Sequence, residues 1–237
     1  MTYCVGVQLD AGLVFLSDTR TNAGVDQIGT FRKVTIFSEP GERVMVLLSS
    51  GNLAISQAIL HELQDGASNP LSIAKNMVEA ARMVGNALRT VYMRDNYSFK
   101  EFGLEFSASF IFGGQIGEEL PKLFQIYAAG NFIEATAETP YFQVGESKYG
   151  KPILDRVITA DTALKDAAKC ALISMDSTIR SNLSVGMPLD LVIYETNSLD
   201  IKTHINLGVD DPYYVQLRTQ WGERLREAFH DMPDIGF

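Results

Sequence analysis

Four side chains near the start of the chain could assemble an activated hydroxyl nucleophile and its surroundings. Thr2 directly follows the first methionine, and aminopeptidases remove methionine ahead of a residue as small as threonine. A chain beginning at Thr2 carries a hydroxyl and a free α-amine on one residue. The amine then serves as base for the hydroxyl, directly or through a water. Asp18, Arg20 and Lys33 add a carboxylate, a guanidinium and an ammonium. An ammonium beside the hydroxyl favours its alkoxide and keeps the α-amine neutral, because like charges repel. Asp18 would hold Lys33 charged and oriented. Arg20 reads as structural, pinning the end of a hairpin. Taken singly, each residue is ordinary: a second-position threonine, a strand-end carboxylate, a surface lysine.

The elements that must position them can be read from pattern. Residues 2–9 and 13–18 alternate as strands around Asp10-Ala11-Gly12, a turn signal. A turn centred near Ala11 places Thr2 opposite Arg20 and Cys4 opposite Asp18, so positions 2, 4, 18 and 20 share one face. A slip of one residue would send these groups to the other face. A loop then leads to Lys33. Residues 33–37 and 43–48 read as two more strands, making a four-strand antiparallel meander. Ser49-Ser50-Gly51-Asn52 opens a helix capped by Asn52 or Ser50, with Leu53, Ile55, Ala58, Ile59 and Leu63 on one face and Gly66 at its end.

Asn69-Pro70 opens a longer helix carrying Leu71, Ala74, Met77, Val78, Ala81, Val84, Leu88 and Val91 at three-or-four spacing. Residues 94–103 read as a loop. Strands follow at 106–112, 123–127 and 141–144, with Gly113-Gly114 and Gly130-Asn131 as breaks. Asp161 caps a helix through Met175. Residues 190–194 and 200–204 form a hairpin. Asp211-Pro212 starts a last helix with Leu217, Trp221, Leu225 and Phe229 as its stripe. Pattern alone supports an α+β class.

The combination Thr2-Tyr3-Cys4, Ser17-Asp18-Thr19-Arg20-Thr21-Asn22-Ala23-Gly24, Phe31-Arg32-Lys33, Ser50-Gly51-Asn52 and residues 177–186 resembles the proteasome β-subunits of the N-terminal nucleophile hydrolase superfamily. The nearer resemblance is to the bacterial proteasome-like Anbu (ancestral β-subunit) group. It implies a four-layer αββα sandwich over residues 1–237 as a single domain, and a threonine peptidase needing no cofactor. It implies that Gly51 offers its N–H to an oxyanion and leaves room for a substrate side chain. Asn22 and Ala23 are candidate pocket residues. Glu146 stands where β-subunits carry serine, with Ser147 next to it. A carboxylate there either assists the α-amine or disfavours an alkoxide. Asp176 and Ser184, with Ser181 competing for the latter role, match residues that support the terminal amine. The resemblance also implies homo-oligomers, as a ring or a spiral, built through apolar stripes on the helices from Leu53 and Leu71. An ATPase unfoldase is a partner it allows.

The 237 residues are 46% hydrophobic with a formal net charge of −9. That balance suits one globular core and disfavours nucleic-acid and anionic-membrane binding. Two cysteines, the lack of a signal-peptide pattern and short apolar runs point to a cytoplasmic protein. His61, His204 and His230 lack ligand spacing, so no metal site is indicated. Gly113-Gly114-x-x-Gly117 lacks the dinucleotide fingerprint. Cys4 reads as a small buried hydrophobe. Two other functions fit the same residues: hydrolysis of small acyl amides by the same nucleophile, and a non-catalytic assembly protein that keeps Met1.

Overall fold

The computed structural model describes residues 2–23, 27–64 and 70–236. Met1, Gly66, Asn69 and the side chains of Asn22 and Ala23 lie outside the described part. The N-terminal hairpin consists of β1 (Tyr3–Leu9) and β2 (Gly12–Asp18). Its register sets Cys4 opposite Ser17 and Leu9 opposite Gly12, one residue from the expected alignment. The turn is the two residues Asp10-Ala11. Gly12 begins β2 at φ +144, where a Cβ would overlap the Tyr194 carbonyl. Cys4 therefore faces Ser17, and Asp18 falls opposite Tyr3.

The expected four-strand meander is split between two sheets. One sheet has the order β10 (Tyr141–Gly145), β1, β2, β11 (Leu189–Glu195), β12 (Thr203–Leu207), and the other the order β5 (Val34–Glu39), β6 (Arg43–Gly51), β7 (Ala108–Ile116), β8 (Lys122–Ile126), β9 (Phe132–Glu134). The chain crosses between them through a small ribbon, β3 (Arg20–Ala23) with β4 (Gln27–Thr30), where a loop was expected. The cause lies in β2, whose two faces are both buried. Leu13 and Phe15 pack between the sheets, while Val14 and Leu16 pack under helices. Such a strand is central, and β11 (Leu189–Glu195) takes the edge that β5 would have needed.

In the second sheet β5 (Val34–Glu39) and β6 (Arg43–Gly51) join β7 (Ala108–Ile116), β8 (Lys122–Ile126) and β9 (Phe132–Glu134). β7 runs straight through Gly113-Gly114, read from sequence as a break. Gly113 sits there because a Cβ would press on Leu123 and the Lys122 carbonyl. β10 (Tyr141–Gly145) leaves this neighbourhood and pairs with β1. β12 (Thr203–Leu207) completes the predicted C-terminal hairpin with β11.

Helices cover both outer faces, giving an αββα sandwich. Over the second sheet lie α1 (Leu53–Gln64) and α2 (Met77–Glu101). Asn52 caps α1 by accepting the Ala54 N–H at 2.9 Å. Pro70 starts only a 3₁₀ turn, and α2 begins at Asn76, which accepts the Glu79 N–H at 2.8 Å. The helix continues through residues 94–101, expected as a loop. Their polar side chains form its solvent face, with Arg94 reaching Glu62 at 3.1 Å. The stripes beginning at Leu53 and Leu71, read as self-assembly surfaces, pack largely into the core against this sheet.

Over the first sheet lie α3 (Lys151–Val157), α4 (Leu164–Ser181) and α5 (Pro212–His230). Asp161 does not cap α4; its carboxylate accepts the Thr159 hydroxyl, and Ala163 holds the cap position. Asp211 caps α5 through the Tyr214 N–H at 2.9 Å. Only Tyr214 of α5 is buried. Leu225 and Phe229, expected in its inner stripe, are 49% and 73% exposed, because every residue from Glu223 to Gly236 is exposed. Among the described residues no helix is long and apolar enough to cross a membrane.

Candidate active site

The site forms where β1 begins and β2 ends. Thr2 and Lys33 are nearly buried and Asp18 is fully so. The Lys33 ammonium donates to Asp18 Oδ1 at 2.5 Å and to the Arg20 carbonyl at 2.7 Å. Asp18 Oδ1 also accepts the Tyr3 N–H at 3.1 Å, and Oδ2 accepts the Gly186 N–H at 3.3 Å. The one-residue register shift puts Asp18 on the helix-facing side of β2. Its position at the strand end still lets the carboxylate meet the Thr2-Tyr3 peptide. Burial pushes the Asp18 carboxyl up from its ordinary value, while the Lys33 charge and the two backbone N–H groups pull it down.

The backbone of Lys33 is held as well, since its carbonyl accepts the Ser49 N–H at 3.0 Å. Two residues later β6 ends at Gly51, with φ +114. A Cβ there would overlap the Ser107 carbonyl, so only glycine fits. Gly51 immediately precedes the capped start of α1, where helix N–H groups favour a developing negative charge.

β10 supplies the other wall. Gly145, at φ +85, comes so near β1 that a Cβ would overlap the Thr2 carbonyl. The Glu146 N–H donates to that carbonyl at 2.7 Å. The Glu146 carboxylate is nearly buried and accepts Asn182 Nδ2 at 2.9 Å, with Lys148 Nζ at 3.5 Å. Ser147, partly buried, takes Gln143 Nε2 on its carbonyl at 3.2 Å.

The segment after α4 closes the site. Arg20 donates to the Leu183 carbonyl at 2.9 Å, and its guanidinium lies directly on Gly186. Ser184 belongs to this segment, with its N–H on Asn182 Oδ1 at 2.9 Å. Asp176 lies elsewhere. It pairs with Arg180 at 2.9 Å and lines a small cleft between α4 and α5 with Tyr214, Leu217 and Trp221. The structure thus brings Thr2, Asp18, Lys33, Arg20 and Glu146 together, links Ser184 through Asn182, and turns Asp176 toward α5. Sequence reasoning missed Asn182 and Gly186. Both stand in the resembling run 177–186, but no role was read for either, because their partners Glu146 and Asp18 lie far away along the chain. Burial holds the Cys4 thiol neutral far above its ordinary value, with Sγ 3.7 Å from the Ser49 carbonyl. Among the described residues no group of three or more His, Cys, Asp or Glu side chains could hold a metal ion.

No family model and no curated protein matches the chain. Solved structures do. An Anbu (Gly-1) mutant from Hyphomicrobium sp. strain MC1 is 50% identical with a TM-score of 0.94, all of both chains being covered. Anbu from Yersinia bercovieri is 49% identical over 99% of each chain, with a TM-score of 0.92. A structure of the helical assembly of the Anbu complex from Pseudomonas aeruginosa is 47% identical, covers 99% of this chain and 98% of that one, and has a TM-score of 0.91. With identity near one half sustained end to end, and with the strand-end carboxylate and its lysine in a four-layer sandwich, the chain belongs to the Anbu family of proteasome-like ancestral β-subunits.

Proposed function

We propose that the chain is a self-assembling threonine-type hydrolase that cleaves peptide or protein amide bonds through Thr2 after loss of Met1. One observation carries this reading. The buried Asp18 carboxylate holds the Lys33 ammonium and the Tyr3 N–H on the same oxygen, at 2.5 Å and 3.1 Å. The ammonium is thereby fixed within the sum of those two lengths of the Thr2-Tyr3 peptide nitrogen. A fixed positive charge there lowers the cost of the Thr2 alkoxide and disfavours a charged α-amine.

The steps follow from these groups. The α-amine takes the hydroxyl proton as Thr2 Oγ bonds to the substrate carbonyl carbon. The oxyanion of the tetrahedral intermediate meets the Gly51 N–H. The amine returns the proton to the departing substrate nitrogen, leaving an ester on Thr2 that water hydrolyses. Thr2→Ala tests this with amide-capped fluorogenic peptides and a β-lactone. Cleavage should fall to background, and the lactone adduct should disappear from the N-terminal peptide. Cleavage by Thr2→Ala at the parent rate would overturn the mechanism.

The nearly buried carboxylate of Glu146, whose backbone N–H bonds the Thr2 carbonyl, favours a second reading, hydrolysis of small acyl amides, which crowd the site less. Turnover of small amides but not of peptides would select it. An intact mass with Met1 fully retained would instead favour a non-catalytic assembly protein, because the amine is then blocked. Homo-oligomerisation is supported by the helical assembly of the Pseudomonas aeruginosa relative and by exposed apolar side chains such as Tyr97, Phe102 and Phe229. The reading takes the oligomer as a ring or a spiral in the cytoplasm, with an ATPase unfoldase as a candidate partner.

A further inference from the structure

Glu146 is the β10-side neighbour of Thr2. Behind them the ladder pairs Tyr3 with Gly145, and the Glu146 N–H bonds the Thr2 carbonyl at 2.7 Å. Residues facing each other in such a pair have Cα atoms about 4.5–5.5 Å apart. The carboxylate at this position is held from two sides. Lys148 is 68% exposed, and an ion pair of that kind contributes little. Asn182 is the fixed partner. Its Nδ2 donates to Glu146 Oε2 at 2.9 Å, its Oδ1 accepts the Ser184 N–H at 2.9 Å, and its own N–H is bonded to the Thr178 carbonyl at 2.9 Å. A glutamine would fill the same space and keep the Asn182 contact, so packing does not explain a negative charge here.

We propose that Glu146 is the ionic partner of the Thr2 α-amine, set against Lys33, and that Asn182 is the positioning residue that keeps its carboxylate there. The inference rests on the assignment of Thr2 as nucleophile. The charged groups at this corner come from several elements: Asp18 from β2, Lys33 ahead of β5, Glu146 and Lys148 after β10, and Arg20 of β3, which is engaged by the Leu183 carbonyl. The Lys33 ammonium drives the amine toward neutrality and the Glu146 carboxylate draws it back. A general base works best with its pKa near the working pH, and opposing charges on two sides are a means of setting it.

The test reads the amine rather than turnover. Full-length chain whose intact mass shows Thr2 at the N-terminus is acylated with an N-hydroxysuccinimide ester between pH 5.5 and pH 9.5. The labelling rate at Thr2 gives the apparent pKa of the amine. Glu146→Gln should lower it by about one unit, so that well below both values Thr2 labels about tenfold faster than in the parent. Asn182→Ala should shift the profile the same way by less, which a purely structural role would not do. An unchanged or upward profile in Glu146→Gln overturns the proposal. If that variant does not fold, an unchanged profile in Asn182→Ala overturns it alone. Absence of peptide hydrolysis would count against the hydrolase reading and leave this result standing.

Discussion

Replacing Asp18 with asparagine would leave the Lys33 ammonium buried without its counter-charge. The side chains are 0% and 7% exposed and joined at 2.5 Å, so solvent can do little to compensate. Asparagine keeps the shape and can still accept the Tyr3 N–H on its oxygen, but its Nδ2 then faces the Gly186 N–H, so the variant loses that hydrogen bond together with the charge. Removing one member of a buried pair costs about 3–5 kcal/mol. A domain of this size loses roughly 2–4 °C per kcal/mol, so the melting temperature should fall by about 6–20 °C. Lys33→Met, which strands the carboxylate instead, should lose a similar amount. The double variant should melt above either single one, because neither charge is then left unpaired. Thermal melts by circular dichroism at one protein concentration and pH 7.5 provide the assay; concentration is fixed because self-association raises apparent stability. If Asp18→Asn melts within 2 °C of the parent, or the double variant melts below both singles, the coupled pair is not what holds this corner together.

Two further expectations concern its surroundings. Gly51→Ala forces a side chain into φ +114 against the Ser107 carbonyl. It should cost about 1–3 kcal/mol in a denaturant titration, and an unshifted midpoint would mean that the β6–α1 junction is not held as described. Burial raises the Cys170 thiol to about 11 and drives Cys4 well beyond that. A raised thiol pKa means thiolate appears only at higher pH, so near pH 8 about one Cys170 in a thousand is ionised. Disulfide-exchange reagents should titrate neither cysteine in the native protein and both after denaturation; rapid loss of one native thiol at pH 8 would contradict this burial.

Local chemistry was legible from residue order. Asp10-Ala11-Gly12 announced a hairpin, Asn52 and Asp211 announced helix starts, and three-or-four spacing placed Met77, Ala81, Val84 and Leu88 on one buried face. These signals act over a few residues, where turn geometry and periodic burial leave few alternatives. The resemblance carried by Thr2, Asp18 and Lys33 extended this to the αββα class. The hairpin register was not legible, because whether Gly12 belongs to the turn or to the strand depends on the Tyr194 carbonyl lying against it. Nor was the split of the opening strands into two sheets, since the competing partner of β2 is β11, more than 170 residues later. Tertiary structure also decided what surrounds the nucleophile. The Gly186 N–H on Asp18, the Arg20 bond to Leu183 and the Asn182 clamp on Glu146 all bring the segment after α4 against strand ends distant in the chain. Residue types thus marked a hydroxyl and a carboxylate at the start of the chain, and the resemblance added the Lys33 ammonium to them. Only the folded chain decided which backbone groups and which second carboxylate meet them, because those contacts depend on sheet order and register, which no local pattern encodes.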